Sequence, residues 1–215
     1  MSEDSMEGGR GKYDAKAVKA MREAQIFKRR SAQLQEKVAG LAEKAETDVL
    51  TELPNRRAFE DRMQKELVNI EKSQREGDAP VRTAWVVLMD IDKFKNINDT
   101  KGHSAGDQVL RSMGAYLKDR VRGTDIVARW GGEEFIILFM DGDKIQARER
   151  AEELRSGIEK LSVPWDGQAI PVTMSFGVAQ VTSVEDIQPG IDRADTALYK
   201  AKEGGRNRVE FQEAA

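Results

Sequence analysis

The 215-residue sequence predicts an α+β fold: a central, mostly antiparallel sheet covered by helices, with a long helix ahead of it. Three observations lead there. Residues 84–89, Ala-Trp-Val-Val-Leu-Met, form a continuous apolar run that suits a central strand buried on both faces. Residues 125–130 and 135–139 flank Gly131-Gly132-Glu133-Glu134 and read as a β-hairpin, which forces antiparallel pairing. Around these strands, apolar residues recur at helical spacing in four further segments.

Taken in order, residues 1–13 are rich in Gly, Ser and charge and read as a disordered tail. Residues 14–46 contain no Pro and read as one helix. A heptad places Ala17, Ala24, Ser31, Val38 and Ala45 at one seam position and Ala20, Phe27, Leu34 and Leu41 at the other. Such a seam fits a weak coiled coil, because alanine and serine bury little area; a solvated helix is the plainer alternative. The globular domain spans 47–215. Asn55 is placed to cap a helix carrying Phe59, Met63, Leu67 and Ile70, and residues 73–80 read as a polar loop. After the central strand, a helix from Ser104 carries Leu110, Met113, Leu117 and Val121. The hairpin follows, then a helix with Ala147, Ala151, Leu154, Ile158 and Leu161. Val172, Met174, Phe176 and Val178 alternate as in a half-buried strand. A last helix, with Ile191, Ala194, Leu198 and Ala201, stops at Gly204-Gly205. This order suggests a ferredoxin-like or palm-type arrangement.

Charge and composition narrow the chemistry. The 35 basic and 38 acidic residues nearly balance, which argues against a protein that coats nucleic acid. The absence of cysteine and the single histidine argue against a Cys/His zinc site and point to a metal held by oxygen. No apolar run approaches the roughly 20 residues that span a bilayer. The expected location is the cytoplasm, with no membrane partner.

Four clusters could carry chemistry, and each also has a plain structural reading. Asp90-Ile91-Asp92-Lys93-Phe94-Lys95 ends the central strand, where a carboxylate either binds a hard cation or accepts backbone N–H bonds. Glu133 and Glu134 at a tight turn repel each other unless a cation compensates, and Gly131 and Gly132 permit positive φ and close approach of a ligand; an ordinary charged turn on a surface hairpin is the plain reading. Ser104-Ala105-Gly106-Asp107 fits a capping box; alternatively Asp107, with Asn98, reads the edge of guanine. Lys202 and Arg206 bracket Gly204-Gly205 and either hold phosphates or complement the helix dipole.

Together these pieces resemble the GGDEF-domain diguanylate cyclases of bacteria. The matching stretches are DVLTELPNRRAF, DIDKFKNINDTKGHSAGDQVL, ARWGGEEF, MSFGVA and DTALYKAKEGGRNRV, in order across residues 48–209. One departure is Glu52, where the family usually has Gly; it puts the local turn in question more than the chemistry.

The resemblance implies condensation of two GTP into cyclic di-GMP and two pyrophosphates, in a palm-type cyclase domain that uses two Mg2+ or Mn2+ ions per active site. Asp90, Glu133 and the carbonyl of Ile91 would be metal ligands, with Glu134 a further ligand or catalytic carboxylate. Asn98 and Asp107 would recognise guanine, with His103 in the same segment. The backbone at Lys93 and Phe94, with Lys95, Lys202 and Arg206, would hold the triphosphate, and Gly131 and Gly132 would let the hairpin approach it. Each domain binds one GTP, so a homodimer is implied. Arg122 and Asp125 match an inhibitory RxxD site for the product. The family often completes that site with an arginine where Glu153 stands, leaving Arg150 or Arg155 to substitute. A catalytically silent receptor domain and another two-metal nucleotidyl transferase are the alternatives.

Overall fold

The computed structural model describes residues 10–44, 46–76 and 83–213. The chain divides into two compact units, Met1–Ala45 and Glu46–Ala215.

The first unit is α1, Arg10–Lys44. It begins four residues before the expected start, so residues 10–13 are helical rather than part of a tail; residues 1–9 and Ala45 lie outside the described residues. All side chains from Ala17 to Leu34 are exposed, including Phe27 (76%) and Leu34 (64%) on the predicted seam. The side chains of the other seam residues, Val38 and Leu41, lie outside the described residues.

The second unit opens with a loop and α2, Arg56–Glu76. As expected, Asn55 caps it, its Oδ1 accepting from Ala58 N at 3.0 Å. Phe59, Met63, Leu67 and Ile70 are buried. The helix continues through residues 73–76, where a loop is predicted. Gln, Arg and Glu are good helix formers, and no breaker occurs before Gly77.

The main sheet is built on β1, Ala84–Ile91, buried along its whole length. Its antiparallel neighbours are β3, Glu134–Met140, and β6, Met174–Val181. On the outer side of β3 lies β2, Ile126–Arg129, completing the predicted hairpin. Beyond β6 lies β7, Val209–Gln212, in parallel, so the order is β2-β3-β1-β6-β7 and the sheet is mixed. The sequence reading ends its last element at Gly204-Gly205 and has no β7. It also has no second hairpin, β4 (Ser162–Trp165) and β5 (Gln168–Pro171). Its turn is Asp166-Gly167, with φ of 47° and 70°, a strong hairpin signal that the reading passed over.

The predicted helix from Ser104 is α4 (His103–Arg120); ahead of it, and absent from the sequence reading, lies α3 (Phe94–Lys101), and the two meet at Gly102. α5, Lys144–Glu159, starts at a true capping box between Asp143 and Gln146. α6 is Ile187–Glu203. Alternation along β1 divides the core. Val87, Met89 and Ile91 pack with Met113, Leu117 and Leu154 of α4 and α5. Val86 and Leu88 pack with Phe59, Met63 and Leu198 of α2 and α6. Asp90 shares the parity of Val86 and Leu88, so it points to the α2/α6 side at the end of the strand.

Candidate active site

Asp90 is 6% exposed, and its register partners are Glu134 on β3 and Ser175 on β6. Its carboxylate would be a buried, unpaired charge but for Lys202, whose Nζ lies 2.8 Å from Oδ2. Glu133 occupies the turn before β3, its carbonyl accepting from Ile91 N at 3.3 Å. Burial raises the carboxyl pKa of Asp90; Lys202 opposes the shift and Asp92 adds to it. Burial and the charge of Asp90 raise Glu133 and Glu134, again against the pull of Lys202. Three acids are thus brought together with too little positive charge.

The turn itself departs from expectation. Neither Gly131 nor Gly132 has positive φ. A Cβ at Gly131 would sit 2.6 Å from Glu134 Oε2, the mobile end of a side chain that lies over this turn. The turn is held by Arg129, whose part the sequence reading missed. Its Nε donates to Gly131 O (3.1 Å) and its Nη2 to Gly132 O (2.7 Å). Its Nη1 reaches both oxygens of Asp48 (3.1 Å each). Asp48 also accepts from the N and Oγ1 of Thr51. Against the effect of burial, these bonds keep its pKa low. Eighty-one residues separate Asp48 from Arg129, and no local pattern announces the pair. Glu52 lies within this loop at φ 58°, with its N–H on Asp48 O. The departure noted in the sequence therefore falls on a left-handed residue, where glycine would be relaxed and glutamate costs about 1 kcal/mol.

Lys93 adopts the left-handed conformation (φ 56°) at the N-cap of α3, which has no side-chain cap. Phe94 is buried in the core, leaving only its backbone for binding, whereas Lys93 and Lys95 are exposed. Asn98 packs on Gly106, where a Cβ would meet Asn98 Oδ1 at 2.0 Å. Asp107 and Asn98 are half-buried on the two packed helices α3 and α4, and His103 is exposed. The capping-box reading fails: α4 begins at His103 with Gly102 as N-cap and no side-chain cap bond. Asp107 is therefore not required to start the helix.

Asp92, adjacent in the same motif, is structural. Its carboxylate accepts from Ser175 Oγ (2.6 Å), Thr173 Oγ1 (2.7 Å) and Asn207 N (3.0 Å). At the RxxD segment, the Asp125 side chain is fully buried. Its oxygens accept from Arg122 N (2.9 Å), Met140 N (3.0 Å) and Arg150 Nη2. Arg122 and Arg150 share a pocket with Tyr116, Arg120, Phe139 and Glu153. Of the two candidate arginines, Arg150 is the one at this segment. Arg155 is engaged elsewhere, with Glu152, Glu159 and Asn207.

Among the described residues, no three His, Asp or Glu side chains form a ready-made metal cage. The donor set still suits a hard cation: clustered carboxylates with raised pKa values, beside backbone oxygens, with the Lys202 ammonium on Asp90 marking where positive charge is wanted. No helix among the described residues is long and apolar enough to cross a membrane.

Residues 45–208 match the family described as "Diguanylate cyclase, GGDEF domain". Diguanylate cyclase A of Treponema denticola is 39% identical over 170 residues, which cover 79% of this chain and 45% of that protein. Diguanylate cyclase DosC of Escherichia coli is 38% identical over 169 residues, covering 78% and 35% respectively. This chain thus spans less than half the length of either relative. Among solved structures, the coiled coil and GGDEF domain of DgcB from Caulobacter crescentus, in complex with c-di-GMP, superposes with a TM-score of 0.69. It is 29% identical, and the match covers 93% of this chain and 98% of that one. The diguanylate cyclase SiaD of Pseudomonas aeruginosa, in complex with its activator SiaC, also gives 0.69 at 33% identity, over 94% and 75%.

Proposed function

The chain belongs to the GGDEF diguanylate cyclase family, and from that premise we propose that it condenses two GTP molecules into cyclic di-GMP. The observation that carries this reading is the convergence of Asp90, Glu133 and Glu134 at one end of the sheet, all with raised carboxyl pKa values and sharing Lys202. In each half-reaction the 3′-hydroxyl of one GTP attacks the α-phosphate of the other. One P–O bond forms, the α–β anhydride bond breaks, pyrophosphate leaves, and the hydroxyl proton passes to solvent. The second half-reaction closes the ring.

Asp90, Glu133 and the Ile91 carbonyl would hold magnesium or manganese, with Glu134 as a further ligand; two such ions, when bound, lower the pKa of the attacking hydroxyl and offset charge on the phosphates. Lys202 and Arg206 bind the triphosphate by charge, and the uncapped start of α3 at Lys93-Phe94-Lys95 offers backbone N–H groups to it. Asn98 and Asp107 bind guanine, beside His103. Arg129 holds the carbonyls of Gly131 and Gly132, so that Glu133 stays within reach of the charge of Asp90.

One domain holds one GTP, so two must face each other. The exposed α1 seam through Phe27 and Leu34 supports pairing by a coiled coil. The test is incubation of the chain with magnesium and labelled GTP at several protein concentrations. Cyclic dinucleotide should appear, and specific activity should fall on dilution as sedimentation shows the dimer dissociating. No product from a chain shown to be dimeric would overturn the reading.

Product feedback is the second expectation. Arg122 is exposed beside Asp125, and Arg120 and Arg150 line the same pocket. Guanidinium groups suit phosphate and stack on guanine. Added cyclic di-GMP should therefore inhibit turnover, and Arg122→Ala should raise the inhibitory concentration at least about tenfold, the loss of one charge-assisted contact. Undiminished inhibition of the variant would place product binding elsewhere.

A further inference from the structure

Asn207 lies in the turn between α6 and β7, immediately after Arg206, and has no part in the reading above. Gly205, Arg206 and Asn207 have φ of 115°, 66° and 47°. Two successive non-glycine residues in the left-handed region are unfavourable and persist only where their surroundings enforce them. The surroundings here are specific. Asn207 N donates to Asp92 Oδ2 at 3.0 Å. Asp92 is 8% exposed and is itself fixed by Ser175 and Thr173. The Asn207 side chain is engaged at both ends: Oδ1 accepts from Arg155 Nη1 and Nδ2 donates to Glu159 Oε1, each at 2.9 Å. Arg155 is braced in turn by Glu152 and Glu159. Arg206 N donates to Ala201 O at 3.0 Å, while its side chain is exposed.

We infer that Asn207, anchored on one side by Asp92 and on the other by Arg155 and Glu159 of α5, is a positioning residue for the substrate's phosphates. It acts by holding Arg206 in the left-handed backbone state from which its guanidinium engages them. This rests on the phosphate-binding reading of Arg206. Such an anchor removes much of the ordering cost that an arginine in a free loop would bring to binding. Asparagine suits the position because it tolerates the left-handed region better than most residues and supplies both a donor and an acceptor.

The test is calorimetry on the full chain with magnesium, using GTP, pyrophosphate and guanosine as separate probes. Asn207→Gly keeps the backbone conformation accessible and deletes both side-chain bonds. It should weaken GTP and pyrophosphate about tenfold and leave guanosine within about twofold, the size seen when an outer supporting contact is removed. Asn207→Asp, which sets a carboxylate against Glu159, should move the constants in the same direction. In an Arg206→Ala background the Asn207→Gly effect should vanish, because there is no guanidinium left to position. Unchanged pyrophosphate affinity in Asn207→Gly, equal weakening of guanosine, or a full additional loss in the Arg206→Ala background would each overturn the inference. If Arg206→Ala alone left pyrophosphate affinity unchanged, the parent assignment of Arg206 would fall, and this inference with it.

Discussion

Glu133→Gln should lower cyclic dinucleotide formation by roughly a thousandfold or more, since losing an anionic ligand removes several kcal/mol of charge stabilisation from the transition state. The fold should survive, and the pKa shifts say in which direction stability moves. Burial and the charges of Asp90 and Glu134 raise the Glu133 pKa in the folded chain. Between the unfolded and the raised folded value, the native state binds more protons, so stability falls as pH rises through that window. Above it, ionised Glu133 is a net cost to the metal-free protein. A neutral amide removes that cost. At neutral to mildly alkaline pH, without metal, the variant should melt no lower than wild type, and wild type should gain more from added magnesium than the variant does. A large drop in melting temperature would make Glu133 structural. Full turnover at saturating magnesium would remove it from the reacting centre.

Wild type should prefer GTP over ATP by about 10⁴ in kcat/KM, and Asp107→Ala should lose most of that preference. The Watson–Crick edge of guanine presents N1–H and an amine, both donors, whereas adenine presents an acceptor at N1. A carboxylate matches the first and is left unpaired by the second. Because α4 starts at Gly102 and His103 without a side-chain cap, Asp107→Ala should not unravel the helix. A change in nucleotide preference can then be read as recognition. Asn98, packed on Gly106, is positioned by close contact and is less suited to such a test, since its replacement would also disturb α3 against α4. Comparable turnover of ATP and GTP by wild type would show that Asp107 does not read the base.

Glu133 and Asp107 both lie in local motifs legible in the sequence. The continuous apolar run of β1, the β2–β3 hairpin and the buried faces of α2, α4, α5 and α6 were legible because periodicity and turn chemistry act over a few residues. The Asp90 and Glu133 motifs were legible for the same reason. α3, which buries only Phe94, and β7, which lies past the Gly204-Gly205 stop, carried too little periodic signal. The β4–β5 hairpin carries its signal in Asp166-Gly167, whose positive φ values suit a two-residue turn.

Other features depended on chain distance. Asp48 and Arg129, or Asp92 and Asn207, are 81 and 115 residues apart, and they meet only because the sheet order β2-β3-β1-β6-β7 brings their strands and loops to one end. The sequence by itself determined the family, the central strand and the hairpin. Tertiary structure alone decided that Glu134 lies over Gly131, that Asp107 is free of capping duty, and that Arg150 rather than Arg155 meets Asp125. The physical reason is range. Propensity, capping and alternation are set by neighbours in sequence, whereas packing distance, burial and shared charge are set by neighbours in space.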